Sequence, residues 1–96
     1  MPVPDPDDDA PVELEIGDAI DLHGFAPRDV MAVVAAYLDA AAERGLREVR
    51  VIHGKGRGVQ RANVRRVLAE HPRVLEFFDG TPERGAWGAT IVRLRT

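Results

Sequence analysis

The chain has 96 residues and no cysteine, so its length suits a single domain and its composition excludes disulfide bonds and thiolate metal sites. It contains neither a signal-peptide pattern nor an apolar run long enough to cross a membrane, and we expect a cytoplasmic protein with no membrane partner. The net charge of −3 is unevenly distributed, because residues 1–20 carry seven acidic residues and no Lys or Arg, whereas residues 21–96 carry a net charge of +4.

The first eleven residues differ in composition from the rest of the chain. They include four prolines and four aspartates, which is typical of a disordered acidic leader, so we expect one ordered domain over residues 12–96. Residues 12–16 alternate apolar and acidic side chains and predict a short strand or an extended lead-in. Residues 19–23 predict a second extended run, which ends at Gly24.

A helix is predicted next, with Pro27 suited to its first turn and Asp29 placed to complement the helix dipole. Its apolar positions recur at the spacing of one helical face: Val30, Val33, Val34, Tyr37, Leu38 and Ala41. Gly45 predicts the end of this helix, and Leu46 supplies the hydrophobic contact that usually accompanies such an end.

The second half of the chain alternates strand and helix again. A β-branched strand runs into His53, a glycine-rich loop follows, and a second helix over residues 59–70 ends before Pro72. Two more strands are predicted, one over residues 74–78 before a turn that begins at Asp79 and one over residues 89–94 after it. The order β-α-β-α-β-β predicts an α/β (α+β) fold in which helices pack on a mixed sheet through right-handed crossovers.

Two of the three histidines are followed directly by glycine, as His23-Gly24 and His53-Gly54. Each pair falls where a predicted strand gives way to a loop, and the carboxyl ends of parallel neighbours lie at one edge of a sheet. Glycine beside each histidine lets another group, such as a sugar-phosphate backbone, approach the main chain. We therefore expect the two motifs to lie side by side and to form one site.

Asp21 and His23 are spaced so that both point to the same face of a strand. An aspartate beside an imidazole fixes its tautomer and stabilises its cation, which makes His23 a candidate general base. Two alternatives stay open: the pair shares a divalent metal such as Mg or Mn, or Asp21 caps a loop and His23 is a packed core histidine.

The loop Gly54-Lys55-Gly56-Arg57-Gly58 precedes a helix, so its backbone N–H groups and the helix dipole offer an anion site to which Lys55 and Arg57 add charge. It has neither the Walker A spacing nor the Gly-x-Gly-x-x-Gly spacing of a dinucleotide site. The alternative is a flexible helix entry with solubilising charges.

Further candidates for contact with nucleic acid lie beyond the loop. Residues 44–73 hold nine Lys or Arg against two acids, which permits a phosphate-backbone partner despite the negative net charge. Arg61 and Arg65 are predicted phosphate contacts, and Trp87 either stacks on a base or ribose or packs against the fold. Other basic residues are interpreted as solvated surface: Arg44, Arg47 and Arg73.

The motifs Asp21-Leu22-His23-Gly24 and His53-Gly54-Lys55-Gly56, with the terminal segment that begins Gly88-Ala89-Thr90, resemble the small MutS-related (Smr) domain over residues 12–96. The resemblance implies a two-layer sandwich similar to the C-terminal domain of translation initiation factor three. It also implies binding to DNA or RNA and, in several family members, endonuclease activity.

Carried over by motif, Asp21 and His23 match the catalytic pair that the resemblance implies, and His53, Gly54 and Gly56 match a second motif that binds or cleaves the strand. Our prediction is an endonuclease that is metal-independent or weakly metal-assisted, with no other cofactor. In it His23 activates the nucleophile, His53 protonates the leaving oxygen or contacts the phosphate, and Lys55 stabilises developing charge. The alternatives are a binding module that does not cleave and a protein-interaction domain that uses the acidic leader.

Overall fold

The computed structural model describes residues 17–54, 58–81, 83 and 88–95. These residues form four strands and two α-helices: β1 (Ala19–Asp21), α1 (Val30–Glu43), β2 (Glu48–Ile52), α2 (Val59–Glu70), β3 (Val74–Asp79) and β4 (Ala89–Leu94). The predicted order β-α-β-α-β-β is therefore confirmed. The predicted lead-in over residues 12–16 and the acidic leader lie outside the described residues.

The four strands form one mixed sheet in the order β1-β2-β4-β3. β1 and β2 are parallel, with Asp21 opposite Ile52, and α1 supplies the crossover that two parallel neighbours require. β4 is antiparallel to both β2 and β3, so it runs back between them. Consequently β1 and β2 both end at one edge of the sheet, and β4 begins there.

The helices cover one face of this sheet. Val49 and Val51 alternate along β2 with partly exposed residues, and they share a single buried core with Val92 on β4. The same core includes side chains from both helices: Val30, Val34, Leu38, Ala41, Val64 and Leu68. The apolar periodicity seen in the sequence thus places the helices against the sheet, and none of the described helices is long and apolar enough to cross a membrane.

The end of α1 follows the prediction, whereas its start does not. Gly45 has φ +80°, its N–H donates to Ala42, and the N–H of Leu46 donates to Ala41, which is the hydrogen-bond pattern of a Schellman motif. The segment from Pro27 to Asp29, predicted to be the first helical turn, is a separate 3₁₀ turn, and α1 begins at Val30. The N–H of Asp29 donates to Ala26 at 2.8 Å, which is the tighter i to i+3 bond that short turns use.

Candidate functional site

The two histidine motifs meet at the edge where β1 and β2 end. Asp21 and Ile52 are paired in the last register position of the two strands, and His53 follows β2 directly. The backbone N–H groups of His53 and Gly54 both donate to the carbonyl oxygen of Gly88, at 3.1 and 2.8 Å. This three-strand junction holds the second motif beside the first, as predicted.

Asp21 and His23 are in contact, but not for the reason predicted. β1 ends at Asp21, and His23 lies in a 3₁₀ turn that spans Leu22–Gly24, so the two residues do not share a strand face. Oδ1 of Asp21 accepts the backbone N–H of His23 at 2.9 Å and lies 2.6 Å from its Nδ1. The aspartate caps the turn, and the cap brings the imidazole to the carboxylate.

The Asp21 contact determines which nitrogen of His23 is free. The backbone N–H of His23, and then its side chain, hold the pKa of the Asp21 carboxyl below its usual value of 3.8. An ionised carboxylate can only accept, so Nδ1 carries the proton and Nε2 keeps its lone pair in the neutral ring. The side chain of His23 is 66% exposed, and this arrangement suits a base that takes a proton from a bound molecule.

Gly54 makes room for the imidazole of His23. It has φ +83°, and a Cβ built on it would lie 2.8 Å from Nε2 of His23. The group that approaches this glycine is therefore the first motif's histidine, whereas the sequence suggested a sugar-phosphate backbone. Gly24 has open space around it, and the structure shows no steric reason for glycine there.

His53 is buried, with only 6% of its surface exposed. Its Nδ1 lies 2.9 Å from the carbonyl oxygen of Gly54, which can only accept, so Nδ1 carries the proton. Its Nε2 then accepts from the hydroxyl of Thr90 at 2.9 Å, and burial lowers the pKa of the ring below 6.5, with Arg61 and Arg65 adding to the effect. His53 is a neutral ring with both nitrogens engaged.

Thr90 is a functional candidate that the sequence did not single out. It is fully buried on β4 and pairs with Val51 of β2, so its hydroxyl reaches the ring of His53 from the neighbouring strand. The Gly88-Ala89-Thr90 segment marked it only as part of a motif. Thr90, His53 and Gly54 form a hydrogen-bonded series that ends against His23.

The neutral state of His53 predicts a pH dependence of stability. Because its folded-state pKa is lowered, the unfolded chain binds more protons just below pH 6.5, and the free energy of unfolding is expected to fall as the pH drops from 7 to 5. Thermal unfolding measured across this range should show a flatter profile for His53→Gln, whose amide does not titrate. Equal slopes for the two proteins would assign the titration to another group.

Arg61 and Arg65, predicted to contact phosphates, converge on one carboxylate. Both donate to Oδ1 of Asp79 at the end of β3, at 2.7 and 2.6 Å, and Arg65 lies over the ring of Phe77 with its Cζ 5.2 Å from the ring centroid. These two cations hold the pKa of Asp79 below 3.8. Arg61, Arg65 and Asp79 together carry a net charge of +1 close to His53. The sequence predicted Asp79 only as part of a turn.

The remaining predicted site residues lie outside the described residues: Lys55, Gly56, Arg57 and Trp87. Gly58, with φ +84°, precedes α2 and caps it without a side chain, so the first N–H groups of that helix lack a side-chain acceptor from the cap. Among the described residues, no three His, Cys, Asp or Glu side chains are grouped so that they could hold a metal ion.

The third histidine joins two elements far from the site. His71 accepts the N–H of Arg73 at Nδ1 and donates from Nε2 to Asp39 on α1 at 2.9 Å. It therefore connects the end of α2 to the other helix, and we assign it no function.

Comparisons with known proteins agree on one family. The Smr domain family model matches residues 20–95. The chain is 46% identical over 83 residues to Endonuclease MutS2 of Caldicellulosiruptor saccharolyticus, covering 86% of this chain and 10% of that protein. Endonuclease MutS2 of Shouchella clausii is 39% identical over 87 residues, covering 91% of this chain and 10% of that protein. The chain thus spans about a tenth of the length of the curated relatives it matches.

Two solved structures are similar to the fold. The Smr domain of Thermus thermophilus MutS2 superposes with a TM-score of 0.78 at 35% identity, covering 83% of this chain and all of that one. YdaL, a stand-alone small MutS-related protein from Escherichia coli, gives a TM-score of 0.77 at 30% identity, covering 82% of this chain and 65% of that one.

Proposed function

This chain belongs to the Smr domain family, and we propose that it binds nucleic acid and cleaves its phosphodiester bonds with His23 as general base. One observation carries the proposal: the Asp21–His23 pair presents an exposed imidazole whose Nδ1 donates to the carboxylate. The relatives named as endonucleases support the reaction class.

In the proposed reaction, Nε2 of His23 takes a proton from the attacking oxygen, which is the 2′-hydroxyl on RNA or a water molecule on DNA. The oxygen attacks phosphorus, the bond from phosphorus to the leaving oxygen breaks, and that oxygen takes a proton from solvent. Asp21 stabilises the imidazolium that forms, because its charge lies beside Nδ1. Lys55 and the loop N–H groups are proposed to stabilise the charge that develops on the phosphate.

His53 has a different part in this proposal from the one that the sequence predicts. Both of its ring nitrogens are engaged, and burial disfavours its protonated form, so its geometry does not favour proton donation to a leaving oxygen. We assign it a positioning role: it holds the carbonyl group of Gly54, and Gly54 in turn borders the ring of His23.

The proposal is tested by incubating the purified chain with labelled single-stranded RNA, nicked circular DNA and duplex DNA, each with and without EDTA. Cleavage of any of these supports the endonuclease, and the EDTA lanes report whether a divalent metal is needed. Binding without cleavage of any substrate would overturn the reaction and leave a nucleic-acid-binding module.

Charge is expected to govern binding. Each cation that contacts a phosphate releases a counterion, so affinity for a single strand should fall with salt at a log–log slope of about −0.7 per contact. Deleting residues 1–11 removes four aspartates that compete for the same basic surface, and we expect tighter binding with unchanged thermal stability. Titrations of both chains at several salt concentrations check this. Weaker binding after truncation would show instead that the acidic segment helps the partner to dock.

A further inference from the structure

A cleft of about 390 Å³ lies at the edge of the sheet opposite to the histidines. Three arginines and two leucines line it: Arg47, Arg93, Arg95, Leu75 and Leu94. Arg47 precedes β2, whereas the candidate active site follows the end of β2, so the two sites are separated by the length of this strand. We call this feature the arginine cleft.

The backbone around the arginine cleft is held by hydrogen bonds between three segments. The N–H of Leu94 donates to the carbonyl oxygen of Arg47 at 2.9 Å, and the N–H of Arg95 donates to that of Arg73 at 2.8 Å. Nε of Arg95 also donates to the carbonyl oxygen of Pro72 at 3.1 Å. This last bond fixes the guanidinium by one edge, and no acceptor for its two terminal nitrogens lies among the residues that the structure describes.

The charge of the arginine cleft is only partly offset. Arg93 is paired with Glu76 at 3.3 Å, and both side chains are more than half exposed, so that ion pair is weak. Glu48 is paired with Arg93 in the register of β2 and β4, so a second carboxylate lies beside this arginine. Within the described part of the chain, no ion pair involves Arg47 or Arg95. Among the residues that the structure describes, the three arginines and these two carboxylates give the cleft a net charge of +1.

The composition of the arginine cleft fits a nucleotide better than a simple anion. Guanidinium groups match the geometry of phosphate oxygens, and they bind them with two parallel hydrogen bonds. Leu75, which is 56% exposed, adds an apolar surface of the kind that a sugar or base covers. A single-stranded nucleic acid offers both features at once, whereas an inorganic anion offers only the first.

We propose that the arginine cleft binds the phosphodiester backbone of the same strand that enters the candidate active site, several nucleotides from the bond that is cleaved. Ile52 lies five positions after Arg47, which corresponds to about 17 Å along a strand. A stacked nucleic-acid strand rises about 3.4 Å per nucleotide, so about five nucleotides bridge the two sites. This inference rests on the proposed function for the identity of the ligand.

The test uses the full chain and fluorescein-labelled 2′-O-methyl oligonucleotides of about 4 and about 12 nucleotides, lengths below and above the bridging distance. These oligonucleotides lack the attacking hydroxyl, and fluorescence anisotropy follows binding alone. The double variant Arg47→Gln/Arg93→Gln removes two charges from the cleft. The control is Arg66→Gln, which removes the charge of an exposed arginine on α2 outside the cleft.

We expect the double variant to bind the long oligonucleotide several-fold more weakly, with the salt slope reduced by about 0.7 for each lost phosphate contact. Its affinity for the short oligonucleotide should match that of Arg66→Gln. An equal loss of affinity for both oligonucleotides, or no loss beyond that of Arg66→Gln, would overturn the proposed role of the cleft. The nuclease proposal would remain intact. A wild-type chain that binds the long oligonucleotide through the cleft but cleaves no substrate would overturn only the reaction.

One further outcome would identify a different occupant. If the double variant binds the long oligonucleotide as the wild type does, and deleting residues 1–11 no longer changes binding in the variant, the cleft holds the chain's own acidic segment. That result would overturn the proposal.

Discussion

Replacing His23 with alanine is expected to lower the rate of phosphodiester cleavage by about 10²–10⁴-fold, which is the usual effect of removing a positioned general base. The fold should survive, because the side chain of His23 is 66% exposed. Binding should change little, since the phosphate contacts are assigned to the loop and the basic side chains. The measurement is cleavage of labelled RNA or DNA beside an anisotropy titration of the same strand.

A second variant separates the base from the group that orients it. Asp21→Asn keeps an oxygen that can accept the backbone N–H of His23, so the turn should remain, but it removes the charge beside Nδ1. A loss of rate smaller than that of His23→Ala, with binding unchanged, is the result that a positioning carboxylate gives. If His23→Ala folds and loses binding and cleavage together, His23 belongs to the binding surface and the assignment as base fails.

The sequence predicted where the histidines would meet but not how. Parallel strand ends lie at one edge of a sheet, and that rule alone placed His23 beside His53. The contact between Asp21 and His23 was predicted from strand alternation, whereas the structure makes it through a capped 3₁₀ turn. A two-residue spacing suits both geometries, so the right pair followed from the wrong local structure.

Contacts between distant segments account for what the sequence could not show. The Thr90–His53 hydrogen bond joins residues 37 positions apart, and the carboxylate of Asp79 draws in Arg61 from 18 positions away. Local spacing carries no information on such pairs, because they depend on the register between β2, β3 and β4 and on the placement of α2. The run of basic residues in the sequence suggested direct phosphate contacts for Arg61 and Arg65. In the structure both side chains are paired with Asp79.

Gly54→Ala is expected to reduce cleavage strongly while the chain stays folded. The new methyl group would stand 2.8 Å from Nε2 of His23, and this is the end of an exposed side chain that can swing away. The base would then leave its place, and a displacement of about 1 Å in a catalytic group can lower a rate by about 10²-fold. Alanine at φ +83° also strains the backbone, by about 1–2 kcal/mol.

Gly45→Ala separates these two effects, because Gly45 has φ +80° and nothing within 4 Å of its Cβ position. Both variants should lose a similar amount of stability. In a domain of this size, each kcal/mol lost lowers Tm by about 4–8 °C. Only Gly54→Ala should lose cleavage at a temperature where both are folded. Equal activity of the two variants would show that the contact between Gly54 and the imidazole has no part in catalysis, and the positioning role of His53, which acts through Gly54, would fail with it.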